Sequence, residues 1–454
     1  MSFNIPHTHH KRLIIVGGGL GGLELANKLK NLPLQVVLID KNNYHQFLPL
    51  IYQVASAGME PSSISFPFRK IFQDRERFYF RLAEVRAIFP EKNLIQTSIG
   101  KVEYDYIVFA AGTTSNFFGN KHIEEVAIPM KNVSEAMGLR NALLSNYERA
   151  VTCATEQEKR ELLNIVIVGG GATGVEIAGA ISEMKRFVIS KDYPEMDSQD
   201  LKIYLIEAAD RLLSGMSKEA SESSRKFLIE MGVEVMLNQK VIDYKDHKVM
   251  LENGECIPSR SFIWVSGVTA VPIGNMDSSL LGRGARIKVD QCNRVIGLDN
   301  VFAIGDQSIQ STDPQYPGGH PQLAQVAIQQ ARCLAKNIKR LEANEELVPF
   351  SYRDLGSMAT VGRNRAVADL GKIKIDGWIA WAIWLLVHLR SILGVRNKII
   401  VLINWVWSYF TYDHSLRLIM YSRKTKEIQD RECREARTHL GEDLLNEEKE
   451  EKEG

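Results

Sequence analysis

Residues 13–26 read LIIVGGGLGGLELA, and residues 164–178 read NIVIVGGGATGVEIA. Each stretch is a β-branched run, a G-x-G-x-x-G motif and then a sequence suited to a helix. In this motif the first glycine makes a tight turn, the second lets a pyrophosphate approach the backbone, and the third lets helix and strand pack closely. The N–H groups of the helix N-terminus then face the phosphates. The repeat predicts an α/β fold with two Rossmann-like dinucleotide-binding domains.

An acidic residue ends the strand that follows each motif. Asp40 lies 23 residues beyond Gly17, and Glu207 lies 38 residues beyond Gly169. A carboxylate there accepts hydrogen bonds from ribose hydroxyls and repels a 2′-phosphate. We therefore expect NADH to be preferred over NADPH, although Arg211 is near enough in sequence to weaken that preference. The alternative for each acid is a strand end without a ligand. The simplest pair of dinucleotides is FAD and NADH.

Composition excludes several classes of protein. The 454 residues suggest about three domains, and 56 basic against 55 acidic residues leave a net charge of +1. That balance gives no basic surface for nucleic acid. The five cysteines (Cys153, Cys256, Cys292, Cys333 and Cys433) form no C-x-x-C pair. A disulfide framework and a zinc site are thus not expected, and we predict no metal.

Three further segments carry a family resemblance. They are residues 42–55 (NNYHQFLPLIYQVA), 323–330 (LAQVAIQQ) and 358–370 (MATVGRNRAVADL). With the two glycine motifs, the turn at Gly112 and the pair Gly305-Asp306, they resemble the two-dinucleotide-domain flavoprotein reductases, and specifically the type II NADH dehydrogenases. The resemblance extends over residues 13–420 and leaves out the acidic tail.

The resemblance implies a set of ligand-binding residues. FAD would be held by Gly17, Gly19, Gly22, Asp40, Gly112 and Asp306, and NADH by Gly169, Gly171, Gly174, Glu207 and Gly267. Glu176 would lie near the nicotinamide, and Gln325 and Gln329 near the quinone headgroup. No flavin-linking motif is present, so we expect the FAD to be non-covalent.

The residues themselves leave these last roles open. Glu176 falls in the first helical turn, where the helix dipole favours an acid in any case, and Glu24 occupies the same place after the first motif. Gln325 and Gln329 are four positions apart and share a helix face. A solvated helix face would give the same pattern.

The resemblance also implies an architecture and an activity. We expect a discontinuous FAD domain (residues 1–118 and 298–350), an NAD(H) domain (119–297) and a C-terminal membrane-anchoring helical module with a charged tail (351–454). The activity would be non-proton-pumping NADH:quinone oxidoreduction, in which NADH reduces FAD and two electrons then pass to a membrane quinone. The alternatives are a sulfide:quinone oxidoreductase-like flavoenzyme and an NADH-binding flavoprotein with a signalling or scaffold role.

The C-terminal module has an unusual composition. Five of the six tryptophans lie between Trp378 and Trp407, and the only charges from Trp378 to Tyr412 are Arg390, Arg396 and Lys398. The three charges divide this segment into two apolar runs, and each run is shorter than the ~20 residues that a spanning helix needs. Trp378, Trp381 and Trp384 are expected on one side of a helix, as in an interfacial anchor. We predict a monotopic protein on the cytoplasmic face of a bacterial inner membrane. A homodimer interface or a domain core is the alternative use of these residues.

Overall fold

The computed structural model describes residues 3–411 and 416–420. The acidic tail and Cys433 lie outside these residues. The helices are α1 (Leu20–Lys28), α2 (Ile51–Ala55), α3 (Phe68–Ile71), α4 (Lys121–Val126), α5 (Val133–Thr152), α6 (Glu156–Leu163), α7 (Ala172–Met184), α8 (Ser190–Asp192), α9 (Lys218–Glu230), α10 (Ala324–Glu342), α11 (Gly377–Ser391) and α12 (Val395–Thr411).

The strands are short and distributed among several sheets. They are β1 (Arg12–Val16), β2 (Gln35–Asp40), β3 (Tyr44–Gln46), β4 (Ser65–Pro67), β5 (Phe78–Leu82), β6 (Val85–Phe89), β7 (Leu94–Thr97), β8 (Gly100–Glu103), β9 (Tyr106–Phe109), β10 (Thr113–Ser115), β11 (Ile128–Pro129), β12 (Ile165–Val168), β13 (Ile203–Ile206), β14 (Val233–Met236), β15 (Val241–Lys245), β16 (Lys248–Leu251), β17 (Cys256–Pro258), β18 (Ser261–Trp264), β19 (Val268–Ala270), β20 (Ile287–Lys288), β21 (Val301–Ala303), β22 (Ser308–Ile309), β23 (Ser357–Gly362), β24 (Arg365–Leu370) and β25 (Ile373–Asp376).

The first parallel sheet has the strand order β21-β9-β1-β2-β5. Its strands β1, β2 and β9 are almost wholly buried, as expected for a sheet covered on both faces. The edge strand β21 comes from beyond residue 300, so this sheet is assembled from two separate parts of the chain. That agrees with the discontinuity expected from the sequence, while the domain boundaries stay a prediction.

The second parallel sheet repeats this design with the order β11-β18-β12-β13-β14. Its central strand β12 leads into the second glycine motif and α7. The structure also explains the long spacing from Gly169 to Glu207. Helix α7 continues into a π-helical turn at Lys185–Ile189 and then α8, and a loop leads on to β13.

The C-terminal module begins with the antiparallel sheet β23-β24-β25 and continues into α11 and α12. Two helices were expected here, but the three tryptophans of α11 do not share an environment. Trp378 is 58% exposed and Trp384 is 1% exposed. The three tryptophans lie on one helix as expected, but Trp384 is buried because it packs against Tyr52 and Trp405, so it is not available as an interfacial anchor. None of the helices in the described part of the chain is both long and apolar enough to span a bilayer.

Candidate functional site

The first glycine turn follows β1 and positions the start of α1. Gly17 has φ +100°, and a Cβ on Gly22 would lie 1.9 Å from the carbonyl oxygen of Gly17. Only a hydrogen side chain fits at Gly22, because helix and turn touch there. By contrast, a Cβ on Gly19 would meet nothing closer than 4.0 Å, and no side chain caps α1. Open space and uncapped N–H groups are what a pyrophosphate requires.

Asp40 holds this turn from the end of β2. Its carboxylate accepts the backbone N–H of Gly18 (2.6 Å) and of Asn42 (2.7 Å). Burial raises the pKa of Asp40, and these two N–H groups act in the opposite direction. The predicted FAD acid is therefore a fixed acceptor at the edge of the turn.

The other predicted FAD residues lie after β9 and β21. Gly112 has φ +70° with open space where a Cβ would be. Asp306 follows Gly305, whose N–H donates to the Gln330 amide oxygen at 2.7 Å. Burial raises the pKa of Asp306, while Lys131 and Arg286 lower it. Open backbone and buried polar groups at the strand ends fit a dinucleotide.

We expect the Asp40→Ala variant to retain FAD about 10- to 100-fold less tightly, because a ribose acceptor is lost and the N–H groups of Gly18 and Asn42 are left without a partner. The FAD-to-protein absorbance ratio after gel filtration measures this. Asp105→Ala is a matched control, since Asp105 also accepts a backbone N–H, that of Arg12 (2.6 Å), at the other end of the sheet. Equal FAD retention in both variants would contradict the role of Asp40.

The second glycine turn has the same construction. Gly169 has φ +115°, and a Cβ on Gly174 would lie 1.8 Å from the Gly169 carbonyl oxygen. Glu207 accepts the N–H of Gly170 (2.5 Å) and of Ala209 (2.8 Å), as Asp40 does with residues at the equivalent positions. A Cβ on Gly171 would meet nothing within 4 Å, so the approach to the N-terminus of α7 is open.

Gly267 lies at the end of the neighbouring strand β18. It has φ +74°, and a Cβ there would lie 2.7 Å from the ring of Phe118. The turn is therefore restricted to glycine by its backbone conformation, since the exposed ring of Phe118 could move aside.

A cavity of about 100 Å³ lies on the outer side of α7. Residues from both sheet units and from the C-terminal module form its walls. They are Tyr52, Gln53, Ser56, Gly58, Glu176, Ala180, Glu183, Phe187, Thr360, Gly362, Arg363, Trp381, Trp384, Leu385, Trp405, Ser408 and Tyr409. We call this space the Glu176 cavity.

Glu176 is held mainly as a neutral acid in this cavity. Burial raises its pKa to about 8, and a backbone hydrogen bond from Thr360 opposes part of that rise. Burial likewise raises the pKa of Tyr52, and Glu176 adds to the effect. A buried acid with a pKa near neutrality can exchange a proton with a ligand, whereas an ordinary surface glutamate is already ionised.

A chain of hydrogen bonds joins three other residues that line this cavity. The Trp405 indole N–H donates to the Gln53 amide oxygen (2.9 Å), and the Gln53 amide nitrogen donates to the Tyr52 hydroxyl (2.8 Å). The ring of Tyr52 lies 6.3 Å from that of Trp384. Aromatic rings combined with a few charged and amide groups are typical of a site for a planar organic ligand.

Gln325 and Gln329 share a face of α10, as predicted, but they do not line this cavity. Gln325 donates to the Gly356 carbonyl (3.0 Å) and accepts the Leu355 N–H (2.9 Å). Gln329 donates to the Arg353 carbonyl (2.8 Å) and accepts the N–H of the same residue (3.0 Å). The two amides therefore clamp residues 353–356, just before β23. Helix α10 itself begins at Ala324, after Leu323.

Sequence reasoning did not assign a role to Tyr52, Gln53, Thr360 or Trp405. Each lies in a segment that the resemblance or the tryptophan content had singled out, but no local pattern indicates that these segments meet. Within residues 3–411 and 416–420, no group of three or more histidine, cysteine or acidic side chains is placed to hold a metal ion. The four cysteines in this part of the chain are free, and none lines the Glu176 cavity.

The chain is similar in sequence to two protein families and to several named enzymes. The pyridine nucleotide-disulphide oxidoreductase family matches residues 11–331, and the NDH2 C-terminal domain matches residues 355–412. A type II NADH:quinone oxidoreductase of Mycobacterium tuberculosis is 32% identical over 425 residues, covering 89% of each chain. One from Haemophilus influenzae is 30% identical over 393 residues, covering 79% of this chain and 87% of its own.

Solved structures show the same fold. NDH2 from Plasmodium falciparum in complex with NADH matches with a TM-score of 0.83 at 20% identity, covering 91% of this chain and 100% of that one. A sulfide:quinone oxidoreductase from Aquifex aeolicus matches with a TM-score of 0.66 at 17% identity, covering 92% and 95%. At these identities the likeness concerns the fold alone.

Proposed function

The chain belongs to the type II NADH:quinone oxidoreductases, FAD-dependent enzymes that oxidise NADH and reduce a quinone, and we propose how its own residues divide that work. The proposal assigns the first glycine turn to FAD, the second to NADH and the Glu176 cavity to the quinone. The observation that carries it is the burial of Glu176 in a cavity lined by aromatic rings, which raises the pKa of its carboxyl group to about 8.

The dinucleotide sites follow from the two matched turns. FAD is bound by Gly17, Gly19, Gly22, Asp40, Gly112 and Asp306, and NADH by Gly169, Gly171, Gly174, Glu207 and Gly267. Bound FAD supplies a group that accepts a hydride and releases electrons singly or in pairs. The protein orients the two cofactors, and its buried strand ends exclude water. What supports this assignment is the open backbone at Gly19 and Gly171 beside two fixed carboxylates.

The quinone site uses Glu176 as an acid. Quinone reduction consumes two protons, and a carboxyl group with a pKa of about 8 is largely protonated at neutral pH. Tyr52, Gln53 and Trp405 keep their part of the cavity wall in place through their hydrogen bonds. The placement of Glu176 near the nicotinamide stays compatible with this role, because α7 begins at the second glycine turn.

The simplest test of the activity uses the purified protein under anaerobic conditions. It should show an oxidised flavin spectrum, which NADH bleaches and a soluble quinone restores. Sulfide should not bleach it, since the four cysteines of the described residues form no disulfide that sulfide could attack. A protein without flavin, or a flavin that only sulfide reduces, would contradict the proposal.

Gln325 and Gln329 are assigned to the quinone half-reaction because they clamp the segment that leads into β23, which carries Thr360. We expect Gln325→Ala and Gln329→Ala each to slow flavin reoxidation by quinone about 10-fold, the effect of losing two hydrogen bonds, and to leave bleaching by NADH unchanged. Stopped-flow absorbance separates these steps. The control is Gln315→Ala, which removes an exposed glutamine. Slower bleaching with normal reoxidation would count against the assignment.

We further propose that α11 and α12 bind the surface of a membrane. Eleven large apolar side chains of these helices are more than two-fifths exposed: Trp378, Ile379, Leu386, Val387, Val395, Ile399, Leu402, Ile403, Val406, Trp407 and Phe410. Exposed Arg390 and Arg396 flank them. A continuous apolar surface with neighbouring cations suits an interfacial helix pair. Such a position would also place the Glu176 cavity next to a quinone dissolved in lipid. The cytoplasmic side stays a prediction.

The double variant Leu386→Glu/Ile403→Glu should lose most liposome binding, since each charge costs roughly 2–3 kcal/mol in an apolar membrane region. Point changes are preferred to truncation at Gly377, because Trp384 belongs to the core. Ile229→Glu/Ile242→Glu is the matched control, with similarly exposed isoleucines outside these helices. Co-sedimentation with liposomes measures the effect. A wild-type protein that is soluble without detergent, dimeric and unable to bind liposomes would show that α11 and α12 form a protein interface instead.

A further inference from the structure

A second cleft, of about 500 Å³, lies beside the Glu176 cavity. Its lining includes the cations Lys185, Arg186, Arg363 and Arg365 and the carboxylates Glu183 and Glu230. Two more cations than anions therefore face one cleft, whose volume is in the range of small-molecule sites. We call it the cationic cleft.

Two of its arginines are poorly neutralised. Arg186 is exposed, its guanidinium lies 5.2 Å from the centre of the Phe187 ring, and no carboxylate of the described residues is within 4.0 Å of it. Arg365 has one carboxylate near it, Glu230, at 3.8 Å. That distance is too long for a hydrogen bond, and the attraction between two partly exposed groups is weak. Lys185 keeps its charge, but we do not propose it as a ligand because its ammonium group already donates to the Leu201 carbonyl at 2.6 Å.

The cationic cleft and the Glu176 cavity share a wall. Glu183, Phe187 and Arg363 line both. The guanidinium of Arg363 donates to the Ser408 carbonyl and lies 4.9 Å from the centre of the Tyr409 ring, so it also holds α12. Phe187 belongs to the π-helical turn, a distortion that is frequent at functional sites. A ligand bound in the cationic cleft could thus shift residues that also line the Glu176 cavity.

We propose that the cationic cleft binds the phosphate of an anionic phospholipid headgroup, with Arg186 and Arg365 as its ligands. Binding of the headgroup then influences quinone reduction in the Glu176 cavity through Arg363, which lines both spaces. Guanidinium groups bind phosphate oxygens in pairs of parallel hydrogen bonds. The contact of Arg363 with α12, whose exposed face carries apolar side chains, places the cleft close to lipid and favours this source over soluble phosphate. The coupling to quinone rests on the proposed quinone site and the choice of lipid rests on the proposed membrane surface, whereas the phosphate site itself rests on neither.

Binding is tested with full-length protein in detergent micelles, using headgroup-labelled phosphatidylglycerol and phosphatidylcholine. The wild type should prefer phosphatidylglycerol, and Arg186→Gln/Arg365→Gln should bind it at least about 10-fold more weakly. Lys245→Gln/Lys248→Gln, which removes the same charge from a hairpin that lines neither space, should bind like the wild type. Equal binding of the two lipids, or equal binding by the three proteins, would overturn the proposal. Displacement by millimolar inorganic phosphate at constant ionic strength would overturn the lipid as source and retain the phosphate site.

The coupling is tested by stopped-flow reoxidation of NADH-reduced protein with a soluble quinone. Phosphatidylglycerol should accelerate reoxidation in the wild type and in Lys245→Gln/Lys248→Gln, but not in Arg186→Gln/Arg365→Gln, and bleaching by NADH should be the same in all three. Acceleration that persists in the arginine variant would overturn the coupling while leaving the binding result intact. Failure of quinone reduction in the wild type would instead contradict the proposed quinone site.

Discussion

The Glu176→Gln variant is expected to reoxidise its flavin with quinone about 100-fold more slowly than the wild type, because a general acid contributes about 10²- to 10⁴-fold and the amide has no proton to give. Bleaching by NADH should change little. A double-mixing stopped-flow experiment, with NADH first and quinone second, measures the two steps in one protein. Glutamine keeps the size of the side chain, so the cavity should retain its shape.

Glu24→Gln is the matched control for this variant. Glu24 occupies the same place after the first glycine motif, but it forms an ion pair with Arg332 at 2.6 Å and is partly exposed. If the position in the helix alone mattered, the two variants would behave alike. Slower bleaching with normal reoxidation in Glu176→Gln would show that this acid serves NADH and not the quinone.

The raised pKa of Glu176 also predicts a pH dependence. The acid is protonated below a pH of about 8, so the rate of flavin reoxidation by quinone should fall as the pH rises through that value. In Glu176→Gln this rate should not change with pH over the same range. The folded pKa lies above the ordinary value of 4.5. Relative to the variant, the wild type should therefore lose free energy of unfolding as the pH rises from about 4.5 to about 8. Rate and denaturation profiles measured together check both signs.

The second large effect concerns two glycines of the NADH turn. Gly174→Ala should cost ~3 kcal/mol of the free energy of unfolding, because its Cβ would lie 1.8 Å from a backbone oxygen. Gly171→Ala should leave stability almost unchanged, since its Cβ would meet no protein atom within 4 Å. It should nevertheless raise the KM for NADH about 10- to 100-fold, because the methyl group would occupy the place of the pyrophosphate and weaken its hydrogen bonds.

These variants are compared by thermal denaturation and by NADH titration of flavin bleaching. The informative result is the separation of the two effects in Gly171→Ala, with loss of NADH affinity at normal stability. If Gly171→Ala binds NADH like the wild type, the open space beside α7 is not where the pyrophosphate binds. Retention of bound FAD in both variants would show that the first turn is independent of the second.

The features that sequence reasoning predicted are local ones. A glycine motif, the strand before it and the acid after the next strand are joined by short pieces of chain, so spacing alone indicates their geometry. That is why Asp40 and Glu207 both accept an N–H of the turn that each was expected to accompany. The membership in the family and its cofactors, inferred from motifs of the same kind, are confirmed.

The features that escaped prediction depend on contacts between distant parts of the chain. Tyr52, Glu176, Thr360 and Trp405 meet in one cavity although more than 350 residues separate the first from the last. Helical spacing suggested a common face for Trp378 and Trp384, but burial is decided by Tyr52 and Trp405, which no spacing rule includes. The amides of Gln325 and Gln329 clamp residues 353–356 for the same reason, because their partners come from another segment.

The most direct test of the central claim is an experimental structure of the NADH-reduced protein with a bound quinone analogue. We expect density for the headgroup in the Glu176 cavity, with a carbonyl oxygen within hydrogen-bonding distance of the Glu176 carboxyl group and the ring beside Tyr52. Headgroup density that contacts none of the residues lining this cavity would contradict the account.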